Sequence, residues 1–146
     1  MPTNPSSPVC EGGQWCQAKN ASGSTIVAGT GVILSTCLLP TLVPGTEPGF
    51  GVAAFEFTLP SSGTVTSGSL GILLRDAVAG DIQLVIMAGC IAARSDGSGG
   101  YYQPLTLDAL GRLKLCPSGS EVLALGLSAP ASGAIWCRVV PPFILP

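Results

Sequence analysis

The chain has 146 residues, 47% of them hydrophobic and 10% charged, with a formal net charge of −2 and no histidine. High hydrophobicity with little charge is the reverse of a disordered composition, and six Lys+Arg against eight Asp+Glu leave no cationic excess for nucleic acid. The absence of His removes the commonest acid–base catalyst and metal ligand.

In chain order, residues 1–21 read as an extended arm and 22–146 as a single β-domain, long enough to bury a real core. Residues 1–8 carry three prolines and no hydrophobic period, which favours extended chain. They also lack a basic and apolar leader, so the expectation is a protein made in the cytoplasm or exported by an unseen route. Val9, Cys10, Trp15 and Cys16 follow, and an aromatic side chain there suggests that the arm docks on something. From residue 22 onward, short apolar runs alternate with Gly/Pro turns, the pattern of an all-β barrel or sandwich. Runs at 25–28 and 32–39 flank Gly29 and Gly31, and 40–49 is a loop. In the run 52–59, Ala53, Phe55, Phe57 and Leu59 share one face, the one predicted to be buried. Further strands are predicted at 71–75, 81–93, 102–107, 112–116, 122–127 and 134–140, with a helical turn at 76–79. Gly89, inside the longest run, marks a bulge or a close backbone approach. Residues 95–100 read as a mobile loop, and Pro141 and Pro142 bar the C-terminus from a central strand. The predicted fold is all-β, a small barrel or sandwich of about eight or more short strands with an extended N-terminal arm.

Two apolar windows, 26–43 and 70–93, raise a membrane reading. The first contains Gly29, Gly31 and Pro40, and the second is broken by Arg75, Asp76 and Asp81. Neither supplies the run of about 20 apolar residues that a spanning helix needs, so no membrane partner is expected.

No constellation for chemistry emerges. The six cysteines lie at 10, 16, 37, 90, 116 and 137. The closest two are too far apart for a zinc pair, and a nucleophilic Cys or Ser would lack a His to activate it. For Cys37, Cys90, Cys116 and Cys137 the favoured role is that of small buried hydrophobes. Cys10 and Cys16 are a candidate disulfide, with free thiols the equal alternative. The run Gly97-Ser-Gly-Gly100 lacks the Lys and Ser/Thr of a phosphate loop. The carboxylates are scattered, Asp76 and Asp81 sharing a turn. Trp15, Trp136, Tyr101 and Tyr102 could stack on sugars or bases, but dispersed aromatics more often serve as core or interface anchors. The reading is therefore not an enzyme, with no cofactor, no metal site and no nucleic-acid partner.

The stretch 71–93, a strand followed by Ala79-Gly-Asp81 and a long strand with an internal Gly, precedes Asp108-Ala-Leu-Gly111-Arg112. Then comes the Gly/Ala-rich run 122–140, containing Gly126, Ala129, Ala131, Gly133 and Val139. This order resembles the small β-barrel capsid decoration (cement) proteins of tailed bacteriophages, over about half of the chain. The arm and the six cysteines depart from that pattern.

The resemblance implies a homotrimer on the outside of the phage head, clamping neighbouring major capsid subunits and stabilising the capsid, without catalytic residues. Its physics would be avidity, several weak contacts made by one rigid body. On this reading residues 1–19 reach a neighbouring subunit, with Val9 and Trp15 as anchors. For Trp15, packing onto its own barrel is the equal alternative. Phe143, Ile144 and Leu145 either close the barrel end or touch a partner. Alternatives are another virion structural protein, such as a head-fibre base or tail adaptor, and a carbohydrate-binding β-domain using Tyr101 and Tyr102.

Overall fold

A computed structural model describes residues 13–37, 54–60 and 69–146. Among these are nine strands and no helix: β1 (Gln14–Asn20), β2 (Gly31–Cys37), β3 (Ala54–Thr58), β4 (Ser69–Leu73), β5 (Ile82–Arg94), β6 (Pro104–Leu107), β7 (Leu113–Leu115), β8 (Glu121–Gly126) and β9 (Ala134–Ile144). They follow the order β1-β3-β2-β4-β5-β9-β8-β6-β7, and an additional β1–β5 pairing closes the first five into a small barrel. The fold is all-β, as the alternation of apolar runs and turns predicts.

The barrel interior holds Ala18, Ile26, Val32, Leu34, Phe57, Leu73, Ala77 and Val85, with Phe55 and Leu59 packed against them. The face of β3 predicted to be buried is therefore the inner one. A second core lies between the outside of β4 and the sheet β5-β9-β8-β6-β7. It contains Leu70, Ile72, Leu105, Leu107, Leu113, Leu123, Ile135, Cys137 and Val139. On β4, Leu70 and Ile72 face this second core and Leu73 faces the barrel. On β2, Ile33 faces the second core while Val32 and Leu34 face the barrel. Burial on both sides explains why these strands read as continuous apolar runs.

β5 links the two cores. Its first half pairs with β1 and β4, its second half with β9. Ile86 and Ile91, five residues apart, both pack against the second core. In a regular strand they would point to opposite faces, so the strand reverses between them. Gly89 lies in that interval with φ +113°, and a Cβ on it would sit 2.8 Å from the Cα of Gly13. Both features suggested for Gly89, a local irregularity and a close backbone approach, are present at once.

Five sequence expectations change. Gln14–Asn20, read as part of the arm, is a strand parallel to β3 and antiparallel to β5. Its inward positions are Cys16, Ala18 and Asn20, too small and polar to advertise a core strand. Asn20 is buried but satisfied: its amide donates to the Ser24 and Ala77 carbonyls at 2.8 and 2.9 Å, and its Oδ1 accepts from Ser22 N and Oγ. The run 25–28 contributes only one bridge, Ile26 to Ala77, and 76–79 belongs to that bridged turn, not to a helix. β9 continues through Pro141 and Pro142 to Ile144. Its register against β8 shifts there, from Ala124↔Val139 to Val122↔Phe143. The prolines thus occupy a bulge past the point where β9 leaves β5, a place where missing N–H groups cost no ladder bond.

The fifth change concerns residues 95–100, which are pinned. The Asp96 amide donates to Leu113 O and the Ser98 hydroxyl accepts from Leu115 N, so the loop covers the outer edge of β7 and blunts it against further strand pairing. A single parallel bridge, Ser95 to Leu113, ties β7 back to the end of β5.

The Asp108-x-x-Gly111-Arg112 motif is a structural clasp. Asp108 Oδ1 accepts from the Leu110 and Arg112 amides, and Oδ2 meets Arg112 Nε at 2.8 Å. Gly111 has φ +75° and its carbonyl receives the Gly31 amide at 2.7 Å. A Cβ on Gly31 would strike the Leu107 side chain. The β6–β7 turn is thereby seated against the start of β2, joining second sheet to barrel.

Candidate interaction surface

Among the described residues no group of three or more His, Cys, Asp or Glu side chains converges in a way that could hold a metal. Asp76 and Asp81, the two acids of one turn, cap backbone: Asp76 Oδ1 accepts the Ala28 amide at 2.7 Å and Asp81 Oδ2 the Val78 amide. Asp108 is likewise engaged. Burial pushes its carboxyl up, but the Arg112 amide and guanidinium and the Leu110 amide outweigh this and hold it below the ordinary carboxylate value. Burial alone raises Glu121.

The thiols are equally quiet. Burial raises Cys16, and it raises Cys116 against the opposing pull of Lys114. Cys137 is pushed up to about 12, first by burial and then by Cys90, and its Sγ donates to Ile91 O. A protonated thiol is a poor nucleophile. Cys116 and Cys137 are buried, in the role of small hydrophobes expected of them, whereas Cys90 is only half-buried; the side chain of Cys37 lies outside the described residues. Val9 and Cys10 lie outside the described residues, and with Cys10 the pairing to Cys16.

The outside of the molecule carries large apolar side chains. Trp15, 62% exposed, stands on β1 opposite Ile86 of β5 and points away from the barrel interior. Phe143 and Ile144 are both exposed at the end of β9, pairing with Val122 and Glu121. Consecutive strand residues face opposite ways, so neither face of this strand end is covered. Leu145 is half-buried and tied down by backbone bonds with Gly119 and Ser120, so it closes the end of the sheet. The structure thus separates the sequence-predicted contact residues into two places, Trp15 on the barrel and Phe143 with Ile144 on the second sheet.

Sequence reading left Trp136 out of that set. It is 59% exposed and sits where β9 alternates strictly, Ile135, Cys137 and Val139 inward and Ala134, Trp136 and Arg138 outward. Opposite it on β5 is Ala92. The small residues around the indole leave hollows of about 380 Å³, lined by Ala28, Leu74, Cys90, Ala92 and Arg94 among others, and about 310 Å³, lined by Ser128, Ala129 and Ala131 among others. The inward alternation of Ile, Cys and Val was the signal that could have shown Trp136 facing out. Tyr101 and Tyr102 form another exposed pair, ring centroids 6.2 Å apart, with Tyr102 at φ +58° on a turn held by Gly126 O.

No protein-family model matches this chain, and no curated protein does. Among solved structures, the chain is similar to the N base of the head fibre protein gp8.5 of bacteriophage phi29. The TM-score is 0.56 at 12% identity, covering 87% of this chain and 95% of that one. At that identity the likeness is one of fold.

Proposed function

We propose that this chain is a structural protein of a bacteriophage virion, mounted on the outside of the head. The observation that carries the reading is the fold shared with a phage head-fibre base over nearly that chain's whole length, joined to the decoration-protein order of motifs in 71–140. The exposed apolar side chains fit this role. Covering one exposed indole removes roughly 150 Å² from water, or about 4 kcal/mol at about 25 cal/mol per Å², before the cost of association.

The first finer role is a clamp: a homotrimer made in the host cytoplasm that bridges neighbouring major capsid subunits and stabilises the shell. Exposed aromatics on both the barrel and the second sheet favour it, since one rigid body with several weak grips gains by effective concentration. The second is a fibre base, favoured by the phi29 likeness. Neither needs a catalytic residue, a cofactor, nucleic acid or a membrane.

The test is to add purified chain to heads lacking it, sediment them, and label bound protein with antibody for negative-stain microscopy. Label over the whole head supports the clamp, and label at a few vertices supports the fibre base. Absence of head binding refutes the proposal. Light scattering of the chain should give three times the 14.6 kDa chain mass if the trimer is correct.

A further inference from the structure

We infer that the outward face of the β5–β9 pair, centred on Trp136, docks on a protein surface that presents an apolar side chain bordered by carboxylates. This rests on the head-binding reading and names the face that would seat on the shell and the chemistry it would meet.

Shape comes first. Trp136 rises over Ala92, with one hollow toward Leu74 and Cys90 and another toward Ala129 and Ala131. A third, about 240 Å³, continues along the strand between Leu125, Arg138 and Pro141. A bulky indole flanked by recesses lined with small residues can serve both as a knob and as the wall of a socket, which is how central anchors of interfaces are built.

Charge then selects the partner. The chain is net negative, yet among the described residues the charged ones lining these three hollows are Arg94 and Arg138. Arg138 projects outward two residues from Trp136 and makes no ion pair among the described residues. Arg94 lies against Thr30 Oγ1 at 3.5 Å, its head held at the rim. Asp76 and Asp96 each stand two residues from a lining residue, Leu74 and Arg94, and both carboxylates are already engaged, Asp76 by the Ala28 amide and Asp96 by the Ser98 amide and hydroxyl. Among the described residues, the hollow beside Trp15 is lined by Gly13, Gln14 and Trp15, with no cation among them. An apolar centre with guanidinium groups at its rim complements an acidic, apolar surface, because planar guanidinium pairs bidentately with carboxylate.

The test compares the full chain with W136A, R138E and, as a control at another exposed apolar side chain, L110A, measuring affinity for heads that lack the chain. Melting curves establish that each variant folds, as substitution of outward-facing residues should allow. The expected result is at least a tenfold loss for W136A and for R138E and wild-type affinity for L110A. Added salt should weaken the wild type more than R138E. If the wild type binds heads and both W136A and R138E bind equally well, the docking face is wrong while the head reading stands. If the wild type does not bind heads, both fall. If W136A instead splits an oligomer of the chain in light scattering, the face joins copies of this protein and the inference is overturned.

Discussion

Gly89→Ala tests the hinge on which the two cores depend. A side chain at φ +113° costs about 1–3 kcal/mol, and the added Cβ would lie 2.8 Å from Gly13 Cα, a clash worth about 1–3 kcal/mol more. The matched control is Gly119→Ala, at φ +84° with nothing within 4 Å of its Cβ. There only the left-handed backbone is penalised, by about 1 kcal/mol, partly offset by a stiffer unfolded chain. Taking about 4 kcal/mol for Gly89→Ala and about 3 °C per kcal/mol for a domain of this size, its melting temperature should fall about 12 °C and that of Gly119→Ala by about 3 °C. Thermal unfolding followed by circular dichroism reads both. Equal shifts in the two variants would refute the claim that the backbone at Gly13, leading into β1, presses on β5 where β5 changes cores.

Other outcomes follow from the cores and the clasp. Phe57→Ala empties the fully buried centre of the barrel and should cost about 3–5 kcal/mol in urea unfolding. Asp108 has its carboxyl lowered in the folded state, so its contribution is fully present above the unfolded value and fades as pH falls through the folded one. Below about pH 4 the wild type should therefore lose urea stability more steeply than Asp108→Asn. Cys137, with its pKa pushed up to about 12, should resist iodoacetamide at neutral pH in the native protein and react once it is unfolded. Deleting residues 1–19 removes all of β1 but Asn20 and should abolish cooperative melting. Deleting residues 1–12 leaves the strand whole, and head binding by that variant measures what the arm contributes.

Much of this fold was legible because β-structure writes its burial in period two. The alternation at Phe55, Phe57 and Leu59, the long run around Gly89 and the outline of β9 all led to strands where strands stand. β1 was illegible for a physical reason. Its inward residues are a thiol, an alanine and an asparagine, and the core it completes is supplied by other strands, so no apolar rhythm marks it. The extension of β9 past Val139 was hidden by prolines that fit only because the strand is bulged and paired on one side there. The 95–100 loop looked mobile from composition, whereas its order comes from bonds to β7 that lie distant in sequence. Exposure of Trp15 could be weighed only once β1 had a facing. Trp136 was underrated because an aromatic within an apolar run suggests core until the parity of its neighbours is fixed.

The most direct measurement is a cryo-electron microscopy difference map between heads carrying the chain and heads lacking it. The account predicts added density on the outer surface that fits the barrel and its attached sheet, with the β5–β9 face against the shell. Identical maps, or density confined to the head interior or the tail, would contradict it.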